Sequence, residues 1–409
     1  MFVFSGFRGL TSGQRHTIVA SYLGWTLDAF DFFVLVFVLK DIAAEFGTDV
    51  KAVTLAITLT LAMRPLGALV FGMIADRYGR RPVLMTNVLL YSLLAGLSGF
   101  APSLTVLIIL RALYGMAMGG EWGVGASLTM ESIPPEKRGL VSGILQAGYP
   151  SGYLLASIAF YALFSYIGWR GMMMIGILPA FLVLYIRRNV DESPVFVARR
   201  HARQRFDLAK QIKQHCGLFL WAVLMMTCFN FLSHGTQDIY PTFLEQQRKL
   251  STHMVGMISI IYNIGAITGG LCFGLLSNRI GRRRAIALAA LLALPVIPLW
   301  TLAATPALLA LGAFMVQFFV QGAWGVVPVH LNEISPDDMR GTFPGFVYQL
   351  GNLFASYNAT LQAGIAATHG GNYALALALV AGTVALLLAL VAGFGFEARG
   401  KKFGLMSKR

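Results

Sequence analysis

The chain has 409 residues, 56% of them hydrophobic and only 12% charged, with a mean hydropathy of +0.68. Soluble globular domains carry about 25% charged residues, so half that density over this length excludes a water-soluble enzyme, a coiled coil, a collagen-like fibre and a disordered chain. The net charge of +14 would suit a nucleic-acid binder, so where it lies matters. Apolar stretches fall at 17–41, 52–75, 82–100, 104–130, 139–164, 168–187, 217–244, 254–277, 285–303, 306–332, 342–367 and 373–396. Each can cross the ~30 Å of bilayer hydrocarbon as a helix, and lipid offers the backbone no other partner. The expectation is an all-α membrane protein with twelve transmembrane helices, spans 1 to 12. Span 1 is too long for a signal peptide and lacks a small-residue cleavage site. The longest polar segment is 187–215, which leaves no soluble domain. Cys216, Cys228 and Cys272 lie in or beside apolar stretches, so neither a disulfide framework nor a zinc site is expected, and no cofactor.

The segments between spans alternate in charge. One side holds 25 of the 32 Lys and Arg, eight of them between 187 and 215; the other has Lys40, Lys51, Arg170, Arg248 and Lys249. By the positive-inside rule both termini and the 187–215 loop face the cytoplasm. The charge is therefore topological, and no nucleic-acid partner follows from it. A cell (plasma or inner) membrane location, multi-pass and monomeric, is expected.

An offset of 202 residues superposes the two halves. Gly72, Asp76, Arg77, Gly79, Arg80 and Arg81 match Gly274, Asn278, Arg279, Gly281, Arg282 and Arg283. At the same offset Trp122-Gly123-Val124 matches Trp324-Gly325-Val326, and Glu131, Pro134, Arg138 and Gly139 match Glu333, Pro336, Arg340 and Gly341. The halves are read as six-helix bundles at 1–188 and 216–409, joined by a basic linker at 189–215 and related by a pseudo-two-fold along the membrane normal. Such a repeat places a substrate site at the midplane and lets one bundle rock against the other.

With these blocks in view, the chain resembles a transporter of the major facilitator superfamily from about residue 17 to 396. The 72–81 block is similar to that family's loop between spans 2 and 3, and Asp191-Glu192-Ser193-Pro194 is typical after span 6. Arg64-Pro65-Leu66-Gly67 and Gly119-Gly120-Glu121-Trp122-Gly123 resemble the metabolite–proton and sialate/lactate–proton symporter branches. The resemblance implies that Asp76 helps latch the halves in one state; a topology anchor with a tight turn is the plainer alternative. Asn278 leaves any second latch without the charge. The motif glycines are expected to let spans 2 and 3 approach closely.

Charged side chains at bilayer depth normally face a bundle interior and mark a pathway. Here they are Asp28, Asp31, Arg64, Arg111, Glu121 and Asp238. Two cations cannot pair with four carboxylates, so at least one carboxylate is neutral for part of the cycle or solvated by a cavity. Asp31 is the first candidate for a proton carrier, with Asp28 sharing the candidacy. It resembles the span 1 aspartate of related proton symporters, and Arg111 opens a motif like the family's in span 4. The resemblance implies that Asp31 and Arg111 lie close; a static ion pair is the alternative. Their equivalents at +202 are Ser233 and Ala313, so neither charge is a scaffold requirement. Glu121 is read as a residue that passes a proton inward or bonds a neighbouring group. Gly115, Gly119 and Gly123 are read as packing. Glu131, His330, Glu333 and Arg340 are read as interface residues at the basic ends.

In span 7, Asn230, Ser233, His234, Gln237 and Asp238 recur at i, i+3, i+4, i+7 and i+8 and share one helix face. The stripe is read as cavity lining, with interhelical bonding as the alternative. It resembles the signature of lactate–pyruvate permeases, which implies a short monocarboxylate. The family places a pair like Gln349 and Asn352 of span 11 in its substrate site, and Gln146 and Tyr149 of span 5 are candidates for the opposite wall. Arg64 and Arg111 are the candidates to bind the carboxylate bidentately, Arg64 if Arg111 serves Asp31, or with the roles exchanged during the cycle. A structural bond from Arg64 to the span 1 carboxylates or to helix-end carbonyls is the alternative. The function expected is proton-coupled symport of lactate or pyruvate by alternating access. Sialate or another organic acid, or a membrane sensor on a transporter fold, are the alternatives. The partners expected are a small organic anion, protons and the bilayer.

Overall fold

The computed structural model describes residues 9–199 and 208–403. Arg8, the linker residues 200–207 and the basic residues after 403 lie outside them. The spans become α1 (Ser12–Phe37), α2 (Val50–Tyr78), α3 (Arg80–Ser98), α4 (Leu104–Ser132), α5 (138–167), α6 (169–189), α7 (Cys216–Gln237), α8 (Thr252–Ile280), α9 (Arg282–Leu302), α10 (Pro306–Ile334), α11 (343–368) and α12 (Tyr373–Gly393). Among the described residues, nine helices have the unbroken length and hydropathy a crossing needs. The other three spans are broken or more polar. α3 opens on Arg80 and Arg81 and carries Asn87. α6 is set off from α5 by Gly168, at φ +60, and interrupted by a turn at 176–179. α11 is interrupted at 356–357.

The starts of α2, α4, α8 and α10 are capped by Asp49, Ser103, Ser251 and Thr305, and α1 by a capping box of Thr11 with Gln14. These side chains take amide protons that a helix start leaves free. α3 and α9 start differently. Their first residues follow Gly79 and Gly281, at φ +119 and +98, a backbone region that glycine reaches at no steric cost. Glu192 accepts from the amides of Arg80 and Arg81, and Glu397 from that of Arg283.

Six helices make each bundle, and the contacts repeat with the sequence. α4 packs on α2 as α10 packs on α8, and the bundles meet through α2 on α11 and α5 on α8. Glycine sets these distances, as the close approach of helices in lipid requires. A Cβ on Gly115 would sit 2.2 Å from the carbonyl oxygen of Thr60, and one on Gly119 2.1 Å from that of Arg64. Gly123 instead faces Gly345 of the other bundle. The motif glycines divide likewise. Gly79 makes the α2–α3 turn, but Gly72 lies against Gly341 and Thr342 at the start of α11. The expected approach of spans 2 and 3 is thus a turn, and the close packing is between bundles.

Gly115→Val should separate α2 from α4 and destabilise the bundle by about 1–3 kcal/mol, the usual scale of overpacking. A lowered melting temperature of the purified protein in detergent checks this, with Gly364→Val on open α11 surface as the silent comparison.

Candidate functional site

The deep charges gather inside the first bundle, among α1, α2 and α4. Asp28, Asp31, Arg64, Arg111 and Glu121 are each at most 3% exposed. Their pairing differs from the expected one. An Arg111 guanidinium nitrogen donates to the main-chain carbonyl of Asp31 at 3.2 Å, and the guanidinium stacks over Tyr114 at 4.5 Å. Both carboxylate oxygens of Asp31 lack a hydrogen-bond partner. Arg111 thus holds α1 by its backbone through one nitrogen, while its Nε and other terminal nitrogen have no hydrogen-bond partner. The Tyr114 hydroxyl meets the carbonyl of Asp28 at 3.0 Å and its carboxylate at 3.4 Å. Both Glu121 oxygens are also unpartnered, beside a cavity of about 10 Å³ lined by Ser21, Trp25, Trp122 and Leu145. That is room for about one water.

Arg64 occupies the wall toward the second bundle. It bonds Met118 and lies over the Phe32 ring at 5.1 Å, and no carboxylate among the described residues is within 4.0 Å of it. Its charge acts on Asp28 and Tyr114 within the first bundle as well as on Tyr149, Tyr348 and His234. Tyr149 stands half-buried between Trp25 at 5.5 Å and Phe33 at 5.3 Å. Gln146 and Gln349 are buried, each with an unpartnered Oε1. Below them Trp122 meets Tyr348 at 4.7 Å and Tyr348 meets Trp324 at 5.4 Å, an aromatic floor across the seam.

The α7 stripe splits. At about 100° per residue its five positions cover an arc of roughly 140°, with Ser233 and Gln237 on one edge and His234 and Asp238 on the other. The first edge turns to α10, where Ser233 accepts from Gln321 at 3.0 Å and Gln237 donates to Gln317 at 3.1 Å. Asn230, between the edges, bonds the carbonyl of Met226 in its own helix. The second edge faces open space: His234 and Asp238 side chains are 33% and 37% exposed, 3.2 Å apart, and His234 reaches Asn352 of α11 at 3.0 Å. Interhelical bonding and cavity lining therefore share the stripe. Gln317 and Gln321, the α10 partners of this edge, were missed by sequence reasoning, although a polar pair at i, i+4 in an apolar span is the same signal that marks α7.

At the basic face the bundles are tied together. The Asp76 carboxylate accepts from the amides of Gly341 and Thr342 at 2.7 and 2.9 Å and from the Thr342 hydroxyl at 2.7 Å. Asn278 makes the symmetric tie, where its Oδ1 accepts from the amide of Gly139 at 3.2 Å and its Nδ2 donates to the carbonyl of Glu136 at 2.9 Å. Arg80 bonds Asp76 at 3.0 Å and Glu131 at 3.2 Å, and Arg340 crosses the seam to Glu131 at 3.5 Å. Arg282 bonds Glu333 at 2.9 Å and Arg138 crosses to Glu333 at 3.8 Å. Arg81 bonds the carbonyl of Arg187 in its own bundle, and Arg77 lies over the Tyr78 ring. His330 is buried on Trp221 of its own bundle rather than on the seam. Every ion pair between bundles among the described residues lies at this face.

Two six-helix bundles, buried charge inside the first of them and ties between them at one face make the frame of a membrane transporter rather than an enzyme. The Major Facilitator Superfamily model matches residues 21–247, and a model described as Sugar (and other) transporter matches 216–394. The chain belongs to the major facilitator superfamily and is a multi-pass membrane protein. It is 29% identical to the sialic acid transporter NanX of Escherichia coli (strain K12), over 96% of both chains. It is 31% identical to a probable 4-methylmuconolactone transporter of Cupriavidus pinatubonensis (strain JMP 134 / LMG 1197), over 90% of this chain and 87% of that one. The solved structure of the proton:xylose symporter XylE bound to 6-bromo-6-deoxy-D-glucose shares the fold, with a TM-score of 0.76 at 18% identity over 96% of this chain and 98% of that one.

Asp76→Ala should weaken the seam by about 1–3 kcal/mol, because it strips a charged acceptor from three donors; Asn278→Ala should weaken it less. Maleimide labelling of a cysteine at Ala68, which is buried beneath Gly345, checks this on a chain without its native cysteines. Labelling should accelerate most in Asp76→Ala.

Proposed function

We propose that the chain is a secondary active symporter that carries one small monocarboxylate, of the lactate or pyruvate kind, with one proton by alternating access. The observation that carries this reading is Arg64, a buried guanidinium without an ion partner, facing Tyr149, Tyr348 and His234 where the bundles meet. Such a group binds a carboxylate through parallel charge-assisted bonds. Asn352, His234 and Gln349 complete the site from the second bundle, and Gln146 and Tyr149 from the first. Asp31 takes the coupling proton. A protonated carboxyl is neutral and tolerates burial, whereas the bare carboxylate needs a cation or water. Asp28 and Glu121 are the further proton-binding groups on this side.

The bundles 1–188 and 216–409 move about the linker 189–215, in a cell membrane, with the basic face and both termini cytoplasmic by the positive-inside rule. Anion and proton enter from the face opposite the ties. Loading lets the seam at Asp76 and Asn278 part, and a ligand drives that step only through its different affinity for the two states. One anion with one proton moves no net charge, so uptake follows the pH gradient. The likeness to a sialic acid transporter along the full chain favours a second reading, in which the anion is a sialate or another organic acid.

In proteoliposomes an inward proton gradient should drive accumulation of labelled lactate, and excess sialate should compete only under the second reading. Asp31→Asn should keep lactate exchange and lose driven accumulation; accumulation that persists would move the coupling to Asp28, His234 or Glu121. Arg64→Gln should weaken half-saturation roughly tenfold or more, the loss of a charge-assisted pair, while the labelling rate at Ala68 without substrate stays unchanged.

A further inference from the structure

Residues 394–403, which follow α12, stay on the protein. Arg283 of α9 donates to the carbonyls of Gly393 and Gly395 at 2.6 and 2.9 Å, and the Glu397 carboxylate accepts from its amide at 3.0 Å. Phe396 packs on Trp221, and Arg399 bonds the carbonyl of Arg279 at 2.7 Å. From there the chain turns along the basic face toward the seam. The amide of Gly400 donates to Glu333 at 3.3 Å, and Lys401 pairs with Asp337 at 3.3 Å. Up to this point every contact is with the second bundle.

The last contacts cross over. Arg138, from the first bundle, donates to the carbonyl of Lys401 at 2.7 Å and lies over the Phe403 ring at 3.7 Å. Arg340, from the second bundle, lies over the same ring at 4.1 Å. These are the two arginines that reach across the seam, to Glu333 and Glu131. One aromatic ring therefore bridges two guanidinium groups that belong to different bundles. Neither the repeat nor the transport pathway calls for it. The repeat ends with α12, and the ring lies at the basic face, away from Arg64 and Asp31.

We infer that residues 397–403 form a strap whose Phe403 ring locks the basic face shut by stacking with Arg138 and Arg340 together. The two guanidinium groups can share the ring only while the bundles are closed there. When the bundles part at this face, the ring keeps at most one of them, and the bond from Arg138 to Lys401 breaks. The strap thus favours the closed arrangement through its difference between two states, as any conformational bias must. A cation–π stack is strong enough to set such a bias without freezing the carrier. The inference is independent of which anion is carried and of whether a proton accompanies it.

The test is a distance measurement on the full chain in lipid. Spin labels at Tyr78→Cys on α2 and Arg284→Cys on α9, in a chain without its native cysteines, report separation at the basic face. Phe403→Ala should raise the ratio of the long to the short distance roughly two- to fivefold, the equilibrium equivalent of one or two such stacks. Phe403→Trp should keep the original distribution, and so should Lys402→Ala, whose side chain is exposed beside the strap. An unchanged distribution in Phe403→Ala overturns the inference. So does an equal shift in Phe403→Trp or Lys402→Ala, since either means that stacking is not the cause. Melting temperatures of all three variants separate a shifted equilibrium from a damaged fold.

Discussion

Two helix starts hold this structure in its observed arrangement. α11 and α5 each begin at the seam with amide groups that their own turns cannot satisfy, and neither has a side-chain cap of its own. The missing acceptor comes from the opposite bundle, Asp76 for α11 and Asn278 for α5. An unsatisfied buried amide costs about 1–3 kcal/mol, so the closed seam completes two helices that would otherwise have to find water. Opening the basic face exchanges those bonds for hydration. The charge difference between Asp76 and Asn278 makes the exchange unequal on the two sides of the pseudo-two-fold.

The interior follows from the same scarcity of partners. In the first bundle Arg111 holds the backbone of Asp31 and stacks on the Tyr114 face, while Arg64 bonds a thioether and lies over the Phe32 ring. The carboxyl groups of Asp31 and Glu121 are left with no bonded partner. The second bundle, built on the same frame, replaces glycines with amides: Gln317 and Gln321 stand at the repeat positions of Gly115 and Gly119. There they hold Ser233 and Gln237 rather than a close backbone. One frame thus carries close-packed glycines beside buried charge in one half and hydrogen-bonding amides at the same positions in the other.

The sequence made the fold legible because lipid removes most alternatives. A run of apolar residues of bilayer length has to be a helix, the basic segments alternate along the chain, and the offset of 202 residues pairs the bundles. All of these are one-dimensional signals. The deep charges were legible for the same reason: they are rare where they are costly. The split of the α7 stripe was not, because periodicity gives a face but not which neighbour sits beside each edge. Gln317 and Gln321 carry the same polar spacing in an apolar span, yet only their bonds to α7 distinguish them from ordinary helix packing.

What the sequence determined alone was therefore the helices, the two-fold repeat and the inventory of buried charge. Only the tertiary structure decided who partners whom. That Arg111 takes a carbonyl and not a carboxylate depends on distances across a bundle. That Asp76 caps α11 while Gly72 clears its path depends on contacts between residues 265 or more positions apart. That Phe403 lies between Arg138 and Arg340 does as well. Hydrogen bonds and ring contacts act over about 3 to 6 Å, and nothing in the order of residues along a chain fixes separations of that size between its distant parts.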